Sequence, residues 1–215
     1  MEGWQAASHL EQGRWEAALP LARSSLREPQ IAPVSRVTGL VVLGLIAARR
    51  GTPDHWQPLD EALELTEPTG ELQRYGPVAA ARAEAAWQDG DLDREGPLLT
   101  RVYAVAMELG TSWNVGALAF WLWRAGELEE PPARVAEPFA LQMAGRWAEA
   151  AARWGEIGCP YERAMALGEL DDEASLREAL DVLGRLGAAR SAERVAGRMR
   201  AVGIIPAGAT PPAPA

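Results

Sequence analysis

The chain has no lysine. All 21 of its basic residues are arginine. That excludes a Walker-type phosphate loop, whose lysine reaches the nucleotide phosphates, and a Schiff-base mechanism. Any use of ATP would have to come from another chain. Cysteine is nearly absent too: a single residue, Cys159, excludes an internal disulfide and fits a reducing compartment. Histidine occurs twice, at His9 and His55, with no cysteine near either and no pair at helical spacing. A transition-metal site needs three or four converging ligands, so both read as surface histidines, and no metal or other cofactor is expected.

Strand-forming residues are also scarce, with three Tyr, two Phe and only short Val/Ile runs. A basic surplus is missing: 30 acids against 21 bases give a net charge of −9. Nucleic acid bound across the whole surface needs a basic face, so sequence-specific DNA or RNA binding is not expected. One stretch departs from this balance. Residues 177–203 hold six Arg (177, 185, 190, 194, 198 and 200) against Glu178, Asp181 and Glu193. It reads either as a solvated helix face or as a weak polyanion contact. The longest apolar run, Val37 to Ala48, falls short of the ~20 residues that span a bilayer. The opening Met-Glu-Gly-Trp-Gln lacks the basic stretch and apolar core of a signal peptide. The expectation is a cytoplasmic protein.

Ala, Leu, Glu and Arg dominate, and all favour helix. Glycine recurs on a near-constant beat at Gly13, Gly51, Gly90 and Gly126, at intervals of 38, 39 and 36 residues, and each ends an Ala/Leu-rich run. Gly145-Arg-Trp-Ala-Glu-Ala nearly repeats Gly13-Arg-Trp-Glu-Ala-Ala. Such a period predicts an all-α, tetratricopeptide-like α-solenoid of about six antiparallel helix pairs over 1–203. A Pro/Ala-rich tail over 204–215 is expected to be disordered. Asp54 is a candidate helix cap. Gly110 is a candidate left-handed C-terminal cap. In the fourth unit, Glu129-Glu130-Pro131-Pro132 replaces much of a second helix.

Three groups could carry chemistry. Cys159 precedes a helix, where a thiol can be activated or can simply pack. Asp171-Asp172-Glu173 reads as a helix cap rather than a carboxylate pair. The nine Trp are the unusual feature. Trp113, Trp121 and Trp123 cluster in one helix, and Trp121 and Trp123 point to different faces. They are the candidate ligand- or partner-binding residues, since losing a helix beside them leaves apolar surface uncovered. Packing by the loop that follows is the other reading. Trp15 and Trp147 sit at matching turn positions and read as structural.

Several segments resemble a known family. They are Leu72-Gln73-Arg74-Tyr75-Gly76-Pro77, running on through Ala83-Glu84-Ala85-Ala86-Trp87; Ala119-Phe120-Trp121-Leu122-Trp123-Arg124-Ala125-Gly126; Glu137-Pro138-Phe139-Ala140-Leu141-Gln142-Met143-Ala144-Gly145; Ala151 to Glu162; and Leu183-Gly184-Arg185-Leu186-Gly187-Ala188. From Pro53 onward the chain is similar to the helical-repeat region of large ATP-dependent LuxR-type bacterial transcriptional regulators, the maltose-regulon-activator-like group. The ATPase and the helix-turn-helix of that family have no counterpart here. The resemblance implies a sensor or protein–protein interaction module in transcription regulation, with a protein or peptide partner and possible reception of a small-molecule inducer. It supplies no inducer-contact residues. A generic tetratricopeptide scaffold that holds a partner's peptide tail is the alternative. A hydrolase built on Cys159 or on a carboxylate pair is the third class.

Overall fold

The computed structural model describes residues 2–27 and 33–205, and among these it is all-helical, with no strand. Twelve α-helices follow one another: α1 (Glu2–Glu11), α2 (Trp15–Arg27), α3 (Val37–Arg50), α4 (Trp56–Thr66), α5 (Leu72–Asp89), α6 (Gly96–Leu109), α7 (Ser112–Arg124), α8 (Glu137–Met143), α9 (Trp147–Ile157), α10 (Pro160–Leu167), α11 (Glu173–Leu186) and α12 (Ala189–Ala201). Ile204 still packs against the core. The rest of the expected tail, 206–215, lies outside the described residues.

Local chemistry sets the helix ends. Asp172 accepts a hydrogen bond from the Ser175 N–H at 2.9 Å and opens α11. Leu176, Ala179 and Leu183 then fall on one buried face. Gly187 closes the helix at φ 71°, a conformation that costs glycine little. Two expected caps are absent. Gly110 is extended (φ −79°, ψ 160°), not left-handed. The next residue explains this: Thr111 forms a capping box with Asn114 at the start of α7, so the chain must leave α6 extended. Asp54 caps nothing, because Pro53–His55 forms a 3-10 turn that runs directly into α4. No helix lies between Arg124 and Glu137, where the sequence loses its repeat.

Neighbouring helices pack in sequence, and α1, α3, α5 and α7 also touch in series. α3 is the central member. Ten of its residues are buried, including Leu40, Val42 and Ile46, as an apolar helix with neighbours on several sides requires. Gly44 lets α4 approach it closely: a Cβ there would sit 2.5 Å from Leu59 Cγ. The end of the chain returns to the beginning. α12 packs on α3. Gln88 of α5 donates to Tyr161 Oη at 3.1 Å and to Ser191 Oγ at 2.7 Å. Gly13 lies so near Pro160 and Leu186 that a Cβ would come within 2.7 Å and 2.8 Å of them. A repeat array in which each unit touches only its neighbours would keep these segments apart.

The Arg-rich stretch takes part in this closure. Arg194 donates to the Trp87 carbonyl, and Arg190 to the Gln88 carbonyl at 3.1 Å. Arg177 pairs with Glu173, Arg185 with Asp181, and Arg198 with Glu169 and Asp171.

Candidate functional site

The return of the chain borders a half-open cavity of about 590 Å³. Its walls come from α1, α3, α5 and α7, then from α8, α9 and α10; α2, α4 and α6 contribute nothing to it. The alternation follows from the sequence. The inner helices carry apolar or small residues on the face turned inward: Val37, Val41 and Leu45 on α3, and Pro77, Ala80 and Ala81 on α5. Small side chains on α5 leave room that Leu or Phe would fill. The helix-free stretch between α7 and α8 lets Phe139 of α8 reach Gly116, where a Cβ would stand 2.5 Å from its ring.

Aromatic rings form a continuous belt along one wall. Trp154 meets Phe139 edge-on at 5.2 Å, and both lie within 6.0 Å of Trp113. Phe120 links Phe139 at 6.2 Å to Trp121 at 5.1 Å, and Trp121 reaches Trp87 at 5.8 Å. These offset and edge-on geometries suit aromatic pairs. The three tryptophans singled out by sequence therefore separate. Trp113 lines the cavity and is 47% exposed; Trp121 lines it and is 9% exposed. Trp123 stands behind the wall, stacked on Phe120 and packed against Trp147. Trp15 is buried, and its indole N–H donates to the Leu10 carbonyl at 3.1 Å.

At another place in the wall, α3, α5 and α10 bring polar groups together. Arg49, 4% exposed, donates from Nε to Glu84 Oε1 at 2.7 Å and from Nη2 to Glu84 Oε2 at 3.0 Å. The same Nη2 reaches Glu162 Oε1 at 3.3 Å. Its guanidinium carbon lies 3.7 Å from the Tyr161 ring centroid. Burial pulls the Arg49 pKa down, but Glu84, Tyr161 and Glu162 outweigh it and hold the group above its ordinary value. Arg49 is thus a fixed cation. Burial pushes the Glu162 carboxyl up; Arg49 opposes this and Glu84 adds to it. The Tyr161 hydroxyl is raised for the same first reason, burial.

Sequence reading missed Arg49, Glu84, Tyr161 and Glu162. The available signal was a lone acid inside an alanine-rich helix face and an arginine at the end of an apolar helix, both at positions the helical period places inside.

His55 is a correction. It is buried, not on the surface, with Nδ1 2.9 Å from the Thr52 carbonyl and Nε2 3.0 Å from Asp89. The 3-10 turn before α4 tucks the ring against α5. Among the described residues no group of three or more His, Cys, Asp or Glu could hold a metal ion, and no helix is long and apolar enough to cross a membrane.

Cys159 lies on the cavity wall but is buried, and burial together with Glu162 and Glu11 pushes its thiol up to about 12. This is the opposite of the activation a helix start can give. At pH 8 a thiol-specific disulfide reagent should therefore label the native protein at least about a hundredfold more slowly than the urea-unfolded chain, because the thiolate is the reactive form. Comparable rates would show an open, ionisable thiol.

No family model, curated protein or solved structure matches the chain.

Proposed function

We propose that this chain is a non-enzymatic binding module, built of tetratricopeptide-like helix pairs curled into a closed array, whose inner cavity receives a small molecule with an apolar body. The aromatic-walled space carries this reading. Its volume of about 590 Å³ falls in the range of small-molecule sites, which are concave and mostly apolar with a few placed polar groups. The bound molecule would favour one packing of the array over another and so change what a cytoplasmic protein partner meets, a shift of population between pre-existing states. The resemblance to the repeat region of LuxR-type regulators makes transcription control the setting we propose. The rival, a scaffold for a partner's peptide tail, is favoured by Trp4, Trp113 and Ile157, which line the cavity and are also exposed.

A neutral apolar fluorophore, N-phenyl-1-naphthylamine, tests the cavity. It should bind saturably at one site per chain, quench tryptophan emission and stabilise the fold by about 2.7 kcal/mol at a hundred times its dissociation constant. Non-saturable uptake without stabilisation would remove the ligand reading and leave the peptide one.

A further inference from the structure

The charges that line the cavity are unevenly matched. Arg124 is paired with Glu169, which it shares with Arg198, and its Nε has no partner; Arg74 bonds Glu71. Around Arg49 the balance is different. That one guanidinium gives two hydrogen bonds to Glu84 and a single longer one to Glu162, while Glu11 of α1 adds a third carboxylate to the lining. Glu162 is the half-paired member. Its Oε2 is buried and has no hydrogen-bond partner, while 26% of the whole side-chain surface stays exposed. A carboxylate in this position has only a share of one cation, the larger part of which goes to Glu84. Arg49 Nη1 also lacks an acceptor, but its cation is seated on the Tyr161 ring, and an anion brought to it would meet three carboxylates. Like charges at such range repel one another.

We propose that the cavity selects an organic cation: a protonated amine or amidine carried on an aromatic or polycyclic apolar body. Its head donates to Glu162, supplying the positive charge that Arg49 gives mainly to Glu84. Its body lies along Trp113, Trp154 and Phe139, and the faces of the indoles add attraction to the cation itself. The proposal rests on the cavity reading above and specifies the ligand class for it.

Three probes of one shape distinguish the ligand classes: 1-pyrenemethylamine, 1-pyrenemethanol and 1-pyrenecarboxylate, each titrated at pH 7 and 0.15 M salt and followed by energy transfer from tryptophan to pyrene. The ammonium should bind at least about tenfold tighter than the alcohol, a difference of about 1.4 kcal/mol, and the carboxylate should bind weakest. Glu162→Gln keeps the shape and removes the charge. It should abolish the preference for the amine, so that the amine and the alcohol bind alike. In 0.5 M salt the preference of the native chain should persist, since a partly buried pair is screened less than a surface one. An alcohol or carboxylate that binds as tightly as the amine overturns the cation proposal and leaves the cavity reading standing. A preference that survives Glu162→Gln also overturns it. Binding by none of the three removes both readings. Should the variant fail to fold, the order of the three probes on the native chain, and its persistence in salt, still support or overturn the proposal.

Discussion

Replacing Arg49 with Met should lower the unfolding free energy by about 3–5 kcal/mol at pH 7, because it leaves buried carboxylates without their partner. The side chain joins three distant parts of the chain: its own helix, Glu84 at 35 residues' separation and Glu162 at 113. Its loss removes more than a pair of hydrogen bonds, since Glu84 is 9% exposed and its charge is left without its partner. The defect should depend on pH, with a definite sign. Glu162 has its folded pKa raised by burial, so its contribution to stability is fully present below the unfolded carboxylate value and is lost as pH rises through the folded one. Arg49 pulls that value down in the native chain; without Arg49 it climbs further. The deficit of Arg49→Met against the native chain should therefore be small near pH 4 and grow towards neutrality. Replacing Glu84 by Met in addition should recover part of it, as apolar substitutes for a buried pair often do. Urea unfolding at pH 4.5, 6 and 7.5 measures all of this. A deficit below about 1 kcal/mol at pH 7, or one independent of pH, would mean that water reaches the cluster freely.

The parts of this fold that were legible in the sequence are those set by one residue's local chemistry. Gly13, Gly51, Gly90 and Gly126 all have positive φ, between 71° and 84°, and follow the helices whose ends they mark. No other residue takes that conformation without cost, so a recurrent glycine is a readable full stop. The all-helical class was legible for a similar reason, as composition and period act over a few turns. The interruption after α7 was legible in Pro131 and Pro132. What could not be read is whatever depends on which helices pack together, above all the return of α10–α12 to α1, α3 and α5. Glu84 sits at a position the helical period turns inward, but nothing in the sequence names Arg49 as its partner 35 residues away. His55 looks like a surface residue until Asp89 of α5 is beside it. The cavity belongs to the same set. Each wall residue was visible as an apolar position, but an apolar position facing a neighbour and one facing a shared empty space have the same period. The tryptophans drew attention for their number, and their separation into wall, rim and backing depends on Phe120 and Phe139 in two different helices.

Those tryptophans should respond differently to truncation. Trp121→Ala should cost about 3–5 kcal/mol, the range for removing a large buried aromatic. Its ring is 9% exposed and is held between Phe120 and Trp87, over whose ring the Arg194 guanidinium carbon sits at 4.0 Å. Removing it opens a void where the aromatic wall meets the Arg-rich last helix. Trp113→Ala should cost about 1 kcal/mol or less. Nearly half of that ring is already open, so little apolar burial is lost, and Phe139 and Trp154 still contact each other. Its effect should fall on binding instead. A ligand body against the belt loses one face of contact, and the affinity for the pyrene amine should drop by about tenfold, as loss of an aromatic anchor does at a binding site. Trp123→Ala should resemble Trp121→Ala in kind, because Trp123 supports Phe120 from behind the wall and does not line the cavity. Chemical unfolding and probe titration on the same three variants separate the two effects. If Trp113→Ala destabilises as much as Trp121→Ala, the rim is a packed part of the core. If it leaves probe affinity unchanged, the ligand does not use this wall. Trp113 both contacts Phe139 and Trp154 and stays nearly half exposed at the cavity's edge, so its truncation tests the wall at the point where packing contributes least.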